Sequence, residues 1–161
     1  MENTKRSIDE FLGQKAYAVV GVSRNKDKFG TMLYRDMKAK GFTVYAVNPQ
    51  MDMVDGDRCY AGLAAIPAKL DAVVTVVPAP ATLAVIDDMA KLGIKQLWLQ
   101  QGSESKEAED KALALKMNVV SGECLFMYLK PVESIHKFHL ILRRIFGRSE
   151  EHTSELQSPN T

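Results

Sequence analysis

The sequence predicts an α/β protein built on an open, doubly wound parallel sheet of about five strands, with an extra C-terminal helix. Three observations carry this prediction: short apolar runs rich in β-branched residues, helical periods between those runs, and turn-forming residues where the runs end. Apolar residues make up 46% of the chain and charged residues 25%, which are globular values. Regular alternation of strands and helices favours parallel strands joined by crossover helices.

Five apolar runs have the length and composition of strands buried on both faces, as the strands of parallel sheets are. They end at residues typical of turns, such as Gly21, the Asn48-Pro49 pair and Pro78. The predicted strands cover residues 16–20, 42–47, 72–77, 96–100 and 118–121.

Apolar residues recur at helical spacing in the segments between these runs. Gly41 and Gly93 follow two of the segments as helix-terminating residues, and Pro131 lies near the start of the last one. The predicted helices cover residues 30–40, 81–92, 103–117 and 131–146, with a short leading helix around Ile8–Leu12. The last helix has an apolar face that suits either the sheet or a second subunit, so a homodimer stays open.

Length, charge and cysteine content restrict the class of protein. A chain of 161 residues fits one domain, predicted to span 1–147, and its two cysteines are too few for a disulfide scaffold. No segment has the length and apolarity of a transmembrane helix and the N-terminus lacks a signal-peptide core, so we expect a cytoplasmic protein with no membrane partner. The net charge of +1 is too small to predict a nucleic-acid partner.

The last fourteen residues depart from the pattern of the rest. Residues 148–161 contain one aliphatic side chain, Leu156, and no helical or strand period. The stretch 148–158 resembles the conceptual translation of a common sequencing adapter, so we interpret 148–161 as a disordered, artefactual tail. Its one Arg and three Glu give it a net charge of −2, which leaves +3 on the rest of the chain. That modest excess suits a small anionic ligand.

The loop after the first predicted strand is the strongest candidate for a binding site, because ligands of doubly wound sheets lie beyond the carboxyl ends of the strands. Its sequence GVSRNKDKFG, residues 21–30, has the spacing G-x-S-x6-G rather than GxGxxG. Gly21 permits a tight turn, and Ser23 offers a hydroxyl and a backbone amide. Gly30 lets an anion approach the start of the following helix closely.

Three cations in this loop favour a diphosphate ligand, since a helix start and basic side chains both attract phosphate. Taken singly, Lys26 and Lys28 are equally compatible with a solvated loop between a strand and a helix. The cations are Arg24, Lys26 and Lys28.

The second strand ends in Asn48 and Pro49, whereas an NAD site favours an acid there for the ribose hydroxyls. Asp52 and Asp55 come only later. Asn48 and Pro49 are compatible with an edge for adenine or ribose, or with a plain Asn-Pro turn. An NAD(P)-binding oxidoreductase or redox sensor therefore remains the alternative to the function given below.

The third and fourth strand ends add less specific features. Val77 and Pro78 form a rigid, apolar exit from the third strand. The fourth strand ends in LQQG, residues 99–102, which offers backbone amides and a flexible turn.

Taken together, these motifs resemble the CoA-binding domain family, a Rossmann-like module also found at the start of the succinyl-CoA synthetase alpha subunit and as small stand-alone bacterial proteins. The resemblance covers about residues 12–128, with the motifs in order at matching spacings. They are VVGVSRNKDKFG (19–30), YAVNP (45–49), YAGLAAIP (60–67), DAVVTVVPAP (71–80), LWLQQGS (97–103) and VVSGECLFM (119–127).

The resemblance implies non-catalytic binding of CoA or acyl-CoA at the strand ends, in a role that could be regulatory. Two features depart from the synthetase relatives. Those relatives carry a Lys soon after the second-strand Pro, whereas Gln50 and Met51 follow Pro49 here, and their phosphorylated histidine segment and nucleotide-grasp partner have no counterpart. A non-catalytic subunit of a CoA ligase stays open. The implied binding residues are Gly21, Val22, Ser23, Arg24, Lys28, Phe29, Gly30, Asn48, Pro49, Val77, Pro78, Gln101 and Gly102.

No motif indicates catalysis or a metal ion. Cys124, His136 and His139 supply only three ligands, fewer than a structural zinc site needs. The sequence contains no Ser-His-Asp order, HExxH or Walker A motif. We therefore predict neither a catalytic residue nor a metal site.

Overall fold

A computed structural model describes residues 2–130, and the predicted last helix and tail lie outside them. Within this range the chain forms seven strands and four α-helices. The strands are β1 (Ala16–Val20), β2 (Thr43–Val47), β3 (Met53–Val54), β4 (Asp57–Tyr60), β5 (Ala72–Thr75), β6 (Gln96–Gln100) and β7 (Asn118–Glu123). The helices are α1 (Lys5–Leu12), α2 (Phe29–Ala39), α3 (Ala79–Leu92) and α4 (Lys106–Ala114). None of these helices has the length and hydropathy needed to cross a bilayer.

The strands form one sheet in the order β3-β4-β2-β1-β5-β6-β7. Every neighbouring pair is parallel except β3 and β4, which form a short antiparallel hairpin. The chain builds outward from β1 through β2 to that hairpin and then returns to the other side of β1 as β5. The order therefore reverses between β1 and β5, and this reversal is where doubly wound sheets bind ligands.

The predicted doubly wound sheet is confirmed, with two more strands than expected. The missed strands β3 and β4 are only two and four residues long, and the sequence of β4, DRCY, lacks a β-branched apolar run. The third predicted strand stops at Thr75 rather than Val77, because residues 76–78 already lead into α3. The helix predicted over 103–117 begins at Lys106, since the side chain of Ser105 caps it by accepting a hydrogen bond from the Ala108 amide at 3.0 Å.

Apolar side chains cover both faces of the sheet. On one face Trp98 is fully buried among Phe11 and Tyr128, with ring centroids 5.2 and 5.5 Å away. Its indole N–H donates to the carbonyl of Glu123 at 2.9 Å, so the one polar atom of this ring is satisfied. On the other face, α3 and α4 bury Ile86, among other side chains. Two packed faces hold the strand ends rigidly in register.

Candidate functional site

The carboxyl ends of β1, β2 and β5 are joined by backbone hydrogen bonds just beyond the last strand residues. The amide of Gly21 donates to the Val47 carbonyl at 3.1 Å, and the amide of Val76 donates to the Val20 carbonyl at 2.8 Å. The exits of the first, second and third predicted strands therefore meet at one edge of the sheet, as the sequence analysis expected. We call it the carboxyl edge.

Gly21 and Gly30 are required by contacts between backbone segments. Gly21 has φ +119°, and a Cβ there would overlap the carbonyl oxygen of Val76. A Cβ on Gly30 would overlap the carbonyl oxygen of Gly21. The sequence analysis assigned Gly30 to the close approach of an anion. The structure gives it a different and stronger requirement, since the start of α2 packs directly on the turn after β1.

The loop between β1 and α2 is held by its own hydrogen bonds. The hydroxyl of Thr31 accepts from the Ser23 amide and donates to the Ser23 carbonyl, both at 2.8 Å. The Ser23 amide, which the sequence analysis named as a possible ligand donor, is therefore engaged within the loop. The Ser23 hydroxyl oxygen accepts from the Asn25 amide at 3.1 Å, which leaves its proton for another acceptor. The sequence analysis did not identify Thr31, although its position directly after Gly30 could have indicated a role in holding this loop.

The three cations of this loop, which leads into α2, are all exposed, as is its one acid, Asp27. No side chain caps that helix, whose N-cap position is Lys28 itself. In the part of the chain that the structure describes, neither Arg24, Lys26 nor Lys28 forms an ion pair with a carboxylate. An uncapped helix start with unpaired cations around it attracts an anion.

Phe29 and Val22, near the two ends of this loop, pack against the protein interior. The Phe29 ring contacts Phe126 edge-on at a centroid distance of 5.1 Å, and Val22 is buried in the same core. Both were predicted as binding residues. Their contacts show that they anchor the two ends of the loop to the protein interior.

Asn48 connects the end of β2 to both neighbouring turns. Its side-chain amide donates to the Val22 carbonyl at 2.7 Å, and its side-chain oxygen accepts from the Gln50 amide at 2.8 Å. Pro49 is exposed between these contacts. Asn48 is thus a positioning residue, and it brings no negative charge to this exit.

Ser103 joins the exits of β5 and β6. Its buried hydroxyl accepts from the Val77 amide at 2.9 Å, and its own amide donates to the Gln100 carbonyl at 2.8 Å. Gly102 has φ +96°, and its amide donates to the Glu104 carboxylate at 2.6 Å. Sequence reasoning included LQQGS as a motif but missed Ser103 as a functional position.

The remaining predicted residues of these exits, Pro78 and Gln101, are exposed. These residues are uncharged, as are Val77 and Gly102, but the Glu104 carboxylate lies against the Gly102 amide. All thirteen predicted binding residues belong to the carboxyl edge or to the contacts that hold it.

Residues 2–130 bring together no group of three or more His, Cys, Asp and Glu side chains that could hold a metal ion. His136 and His139, considered with Cys124 in the sequence analysis, lie outside those residues. Cys59 lies beneath Asn48, where burial raises the pKa of its thiol. A raised pKa disfavours the thiolate that a nucleophilic cysteine needs.

Fold and strand-end geometry together define a Rossmann-like α/β domain with a loop-and-helix-start site at the reversal point of its sheet. The family described as CoA binding domain matches residues 15–130, more than half of the chain. The chain therefore belongs to the CoA-binding domain family, as the resemblance of its motifs predicted.

The similar proteins include large ligases and a small protein of about the length of this chain. The chain is 33% identical over 100 residues to an ADP-forming acetate–CoA ligase of Archaeoglobus fulgidus, a match of 61% of this chain and 15% of that protein. It is 27% identical over 127 residues to the uncharacterized protein YneT of Bacillus subtilis, a match of 78% of this chain and 94% of that protein. The chain spans only 15–19% of the length of three archaeal acetate–CoA ligases that it matches.

Solved structures show the same two sizes. A conserved hypothetical protein of Pyrococcus furiosus aligns with a TM-score of 0.69 and 33% identity, covering 72% of this chain and all of that one. The dinucleotide-forming acetyl-coenzyme A synthetase 1 of Candidatus Korarchaeum cryptofilum aligns with a TM-score of 0.60 and 30% identity, covering 70% of this chain and 27% of that one. The domain fold is thus common to small proteins and to one part of larger enzymes.

Proposed function

We propose that this chain binds CoA or an acyl-CoA at the carboxyl edge of its sheet, as a binding protein without catalysis of its own. The observation that carries the proposal is the uncapped start of α2 with the unpaired cations Arg24, Lys26 and Lys28 beside it. CoA has a diphosphate joined to an uncharged pantetheine arm. A helix start and basic side chains suit the diphosphate.

The charge distribution along the carboxyl edge supports one orientation of this ligand. The loop after β1 carries three cations and one carboxylate, Asp27, whereas the exits of β6 and β7 carry the carboxylates of Glu104 and Glu123. Glu104 accepts from the Gly102 amide at 2.6 Å, and Glu123 accepts from the Tyr128 hydroxyl at 2.9 Å. Negative charge at those exits repels phosphate, so we place the phosphates near α2 and the uncharged pantetheine arm over the exits of β5 and β6.

The proposal of a non-catalytic role has two supports. The chain corresponds to a small part of the matched ligases but to 94% of the small YneT protein. At the carboxyl edge, the polar side chains of Asn48, Ser103 and Thr31 are engaged in hydrogen bonds that hold turns. A regulatory role or a catalytic partner chain is compatible with such a binding domain.

Isothermal titration of the purified chain with CoA, acetyl-CoA, NAD⁺ and NADP⁺ tests the ligand. We expect CoA and acetyl-CoA to bind and NAD⁺ to bind at least tenfold more weakly, because Asn48 gives the β2 exit no acid for ribose hydroxyls. Charge reversal by Lys28→Glu should weaken CoA binding about tenfold, whereas Lys69→Glu, the same change at an exposed position outside the edge, should not. Tight NAD⁺ binding without CoA binding would refute the proposal.

A direct assay tests the absence of catalysis. The purified chain, incubated with CoA, acetate and ATP, should form no thioester, and incubated with acetyl-CoA, ADP and phosphate it should form no ATP. Thioester formation by the chain alone would show that it is an enzyme.

A further inference from the structure

A groove with a cavity volume of about 520 Å³ lies at the edge of the sheet where β1 and β2 begin, opposite the carboxyl edge. Its apolar lining residues are half-buried, whereas most of its polar lining residues are exposed, so an apolar floor lies within a polar rim. Such a groove suits the apolar stripe and polar flanks of an amphipathic helix. The apolar floor consists of Leu12, Phe42 and Tyr128, and the polar rim of Asp9, Gln14, Lys15, Thr43 and Lys130.

The apolar floor is continuous with the aromatic core on the same face of the sheet. The Phe42 ring contacts Tyr17 edge-on at a centroid distance of 5.6 Å, and the Tyr128 ring lies 5.5 Å from Trp98. Tyr17 and Trp98 are both buried, and Leu12 packs against the same core. Apolar side chains placed in the groove would therefore extend an existing hydrophobic core.

The described part of the chain ends at this groove, because Lys130 is one of the residues that line it. The next residue, Pro131, is the predicted start of the last helix, so no linker separates the groove from that helix. A helix over 131–146, which lies outside the described residues, would be about 24 Å long. Its predicted apolar face contains Ile135, Phe138, Leu142 and Ile145.

A helix of this length needs an apolar surface to pack against. Short helices are marginal in water, and most of their stability in proteins comes from burial of an apolar face. The groove offers such a surface at the point where the predicted helix begins. A second copy of the chain is a less suitable occupant, because specific protein interfaces involve about 20–30 residues a side, whereas ten residues line the groove.

We infer that residues 131–146 form a helix that packs its apolar face into the groove of its own chain. The helix covers Leu12, Phe42 and Tyr128 and extends the core beside the start of β1 and β2. The sequence left two surfaces open for this face, the sheet or a second subunit, and the inference selects the chain's own sheet. It does not depend on the ligand proposed for the carboxyl edge.

Cross-linking between introduced cysteines in the full chain tests this docking. Thr43→Cys adds one exposed thiol to the polar rim. At helical spacing, positions 134 and 139 flank the predicted apolar face and position 137 lies on the opposite side. Thr43→Cys is combined in turn with Ser134→Cys, His139→Cys or Lys137→Cys and treated with a short bismaleimide at low protein concentration. We expect an intramolecular cross-link from Ser134→Cys or His139→Cys, at about fivefold higher yield than from the Lys137→Cys control.

The products separate docking within one chain from docking between chains. Peptide mapping identifies the linked positions and distinguishes them from the native thiols of Cys59 and Cys124. A covalent dimer linked between position 43 of one copy and the helix of another would overturn the inference, because a second copy would then occupy the groove. Equal yields from the three helix positions, or no cross-link in chains whose melting temperature shows that they fold, would also overturn it.

A pair of alanine substitutions gives a second measurement that needs no added cysteine. Phe138→Ala removes a ring from the apolar face and should lower the melting temperature of the full chain by several degrees. Lys137→Ala, on the opposite side of the predicted helix, should change it by no more than about one degree. Equal melting temperatures for the two variants would mean that the apolar face is not buried, and the inference would be wrong.

Discussion

The two edges of the parallel sheet present opposite kinds of surface. At the carboxyl edge, backbone contacts at Gly21 and Gly30 leave a tightly packed turn with exposed cations around it. At the amino edge, where β1 and β2 begin, there is a groove with a cavity volume of about 520 Å³. Its lining includes Leu12, Phe42 and Tyr128.

This difference shows that a groove by itself does not indicate where a charged ligand binds. The groove lies at the edge opposite the reversal-point loops. The carboxyl edge concentrates cations around an uncapped helix start. A long, charged ligand such as CoA is expected to bind along such a surface.

The largest effect we expect is loss of stability when the carboxyl edge is forced apart. Gly30→Val places side-chain atoms against the Gly21 carbonyl, and such overpacking costs about 1–3 kcal/mol or more. Thermal unfolding should show a melting temperature lower by several degrees. Gly62→Ala is the control, because Gly62 has extended φ of −164° and open space where its Cβ would lie. Unchanged stability of Gly30→Val would mean that α2 does not pack on the turn as described.

A smaller loss of stability is expected when the hydrogen bond between the exits of β5 and β6 is removed. Ser103→Ala leaves the Val77 amide without its acceptor in a part-buried position, at a cost of about 1–3 kcal/mol. Urea unfolding measures this cost, and Gln101→Ala, an exposed neighbour, should change the free energy of unfolding by less than about 0.5 kcal/mol. If Ser103→Ala lowered the free energy of unfolding no more than Gln101→Ala does, that result would contradict the assigned hydrogen bond.

Filling the groove at the amino edge should leave ligand binding unchanged. Thr43→Tyr adds a ring at an exposed strand position that lines the groove, and aromatic residues suit strands. A five-residue strand separates this position from the loop after β1 by roughly 15 Å. The dissociation constant of CoA should stay within about twofold of that of the unmodified chain, in contrast to Lys28→Glu. A strong loss of CoA binding in Thr43→Tyr would mean that our proposal assigns the ligand to the wrong edge of the sheet.

The smallest effect is expected from removing residues 148–161, predicted from the sequence to be an artefactual tail. Full burial of Leu156, its one aliphatic side chain, would contribute only about 2 kcal/mol before the cost of ordering the chain. The truncated chain should match the full chain in melting temperature and in CoA affinity. A drop of several degrees would show that this segment is part of the folded protein.

Much of the candidate site could be predicted from the sequence because strand ends carry local signals. The run from Gly21 to Gly30 and the Asn48-Pro49 pair stand directly after apolar runs, so their place at the carboxyl edge followed from the fold class. The hydrogen bonds that hold the site could not be predicted in the same way. Thr31 contacts Ser23 across a loop and Ser103 contacts Val77 across two exits, and neither pairing leaves a periodic pattern in the chain.

The sequence by itself determined the alternation of strands and helices and the family of the chain, and it indicated the edge at which we propose that a ligand binds, because periodicity and turn residues act locally. Only the tertiary structure decided why particular residues stand at that edge. It assigned Gly30 to a backbone contact, Asn48 to the support of two turns and Arg24 to the end of a strand to which it is not adjacent in sequence. These roles depend on atoms brought together from distant parts of the chain, and hydrogen bonds and steric overlap act only over a few ångströms.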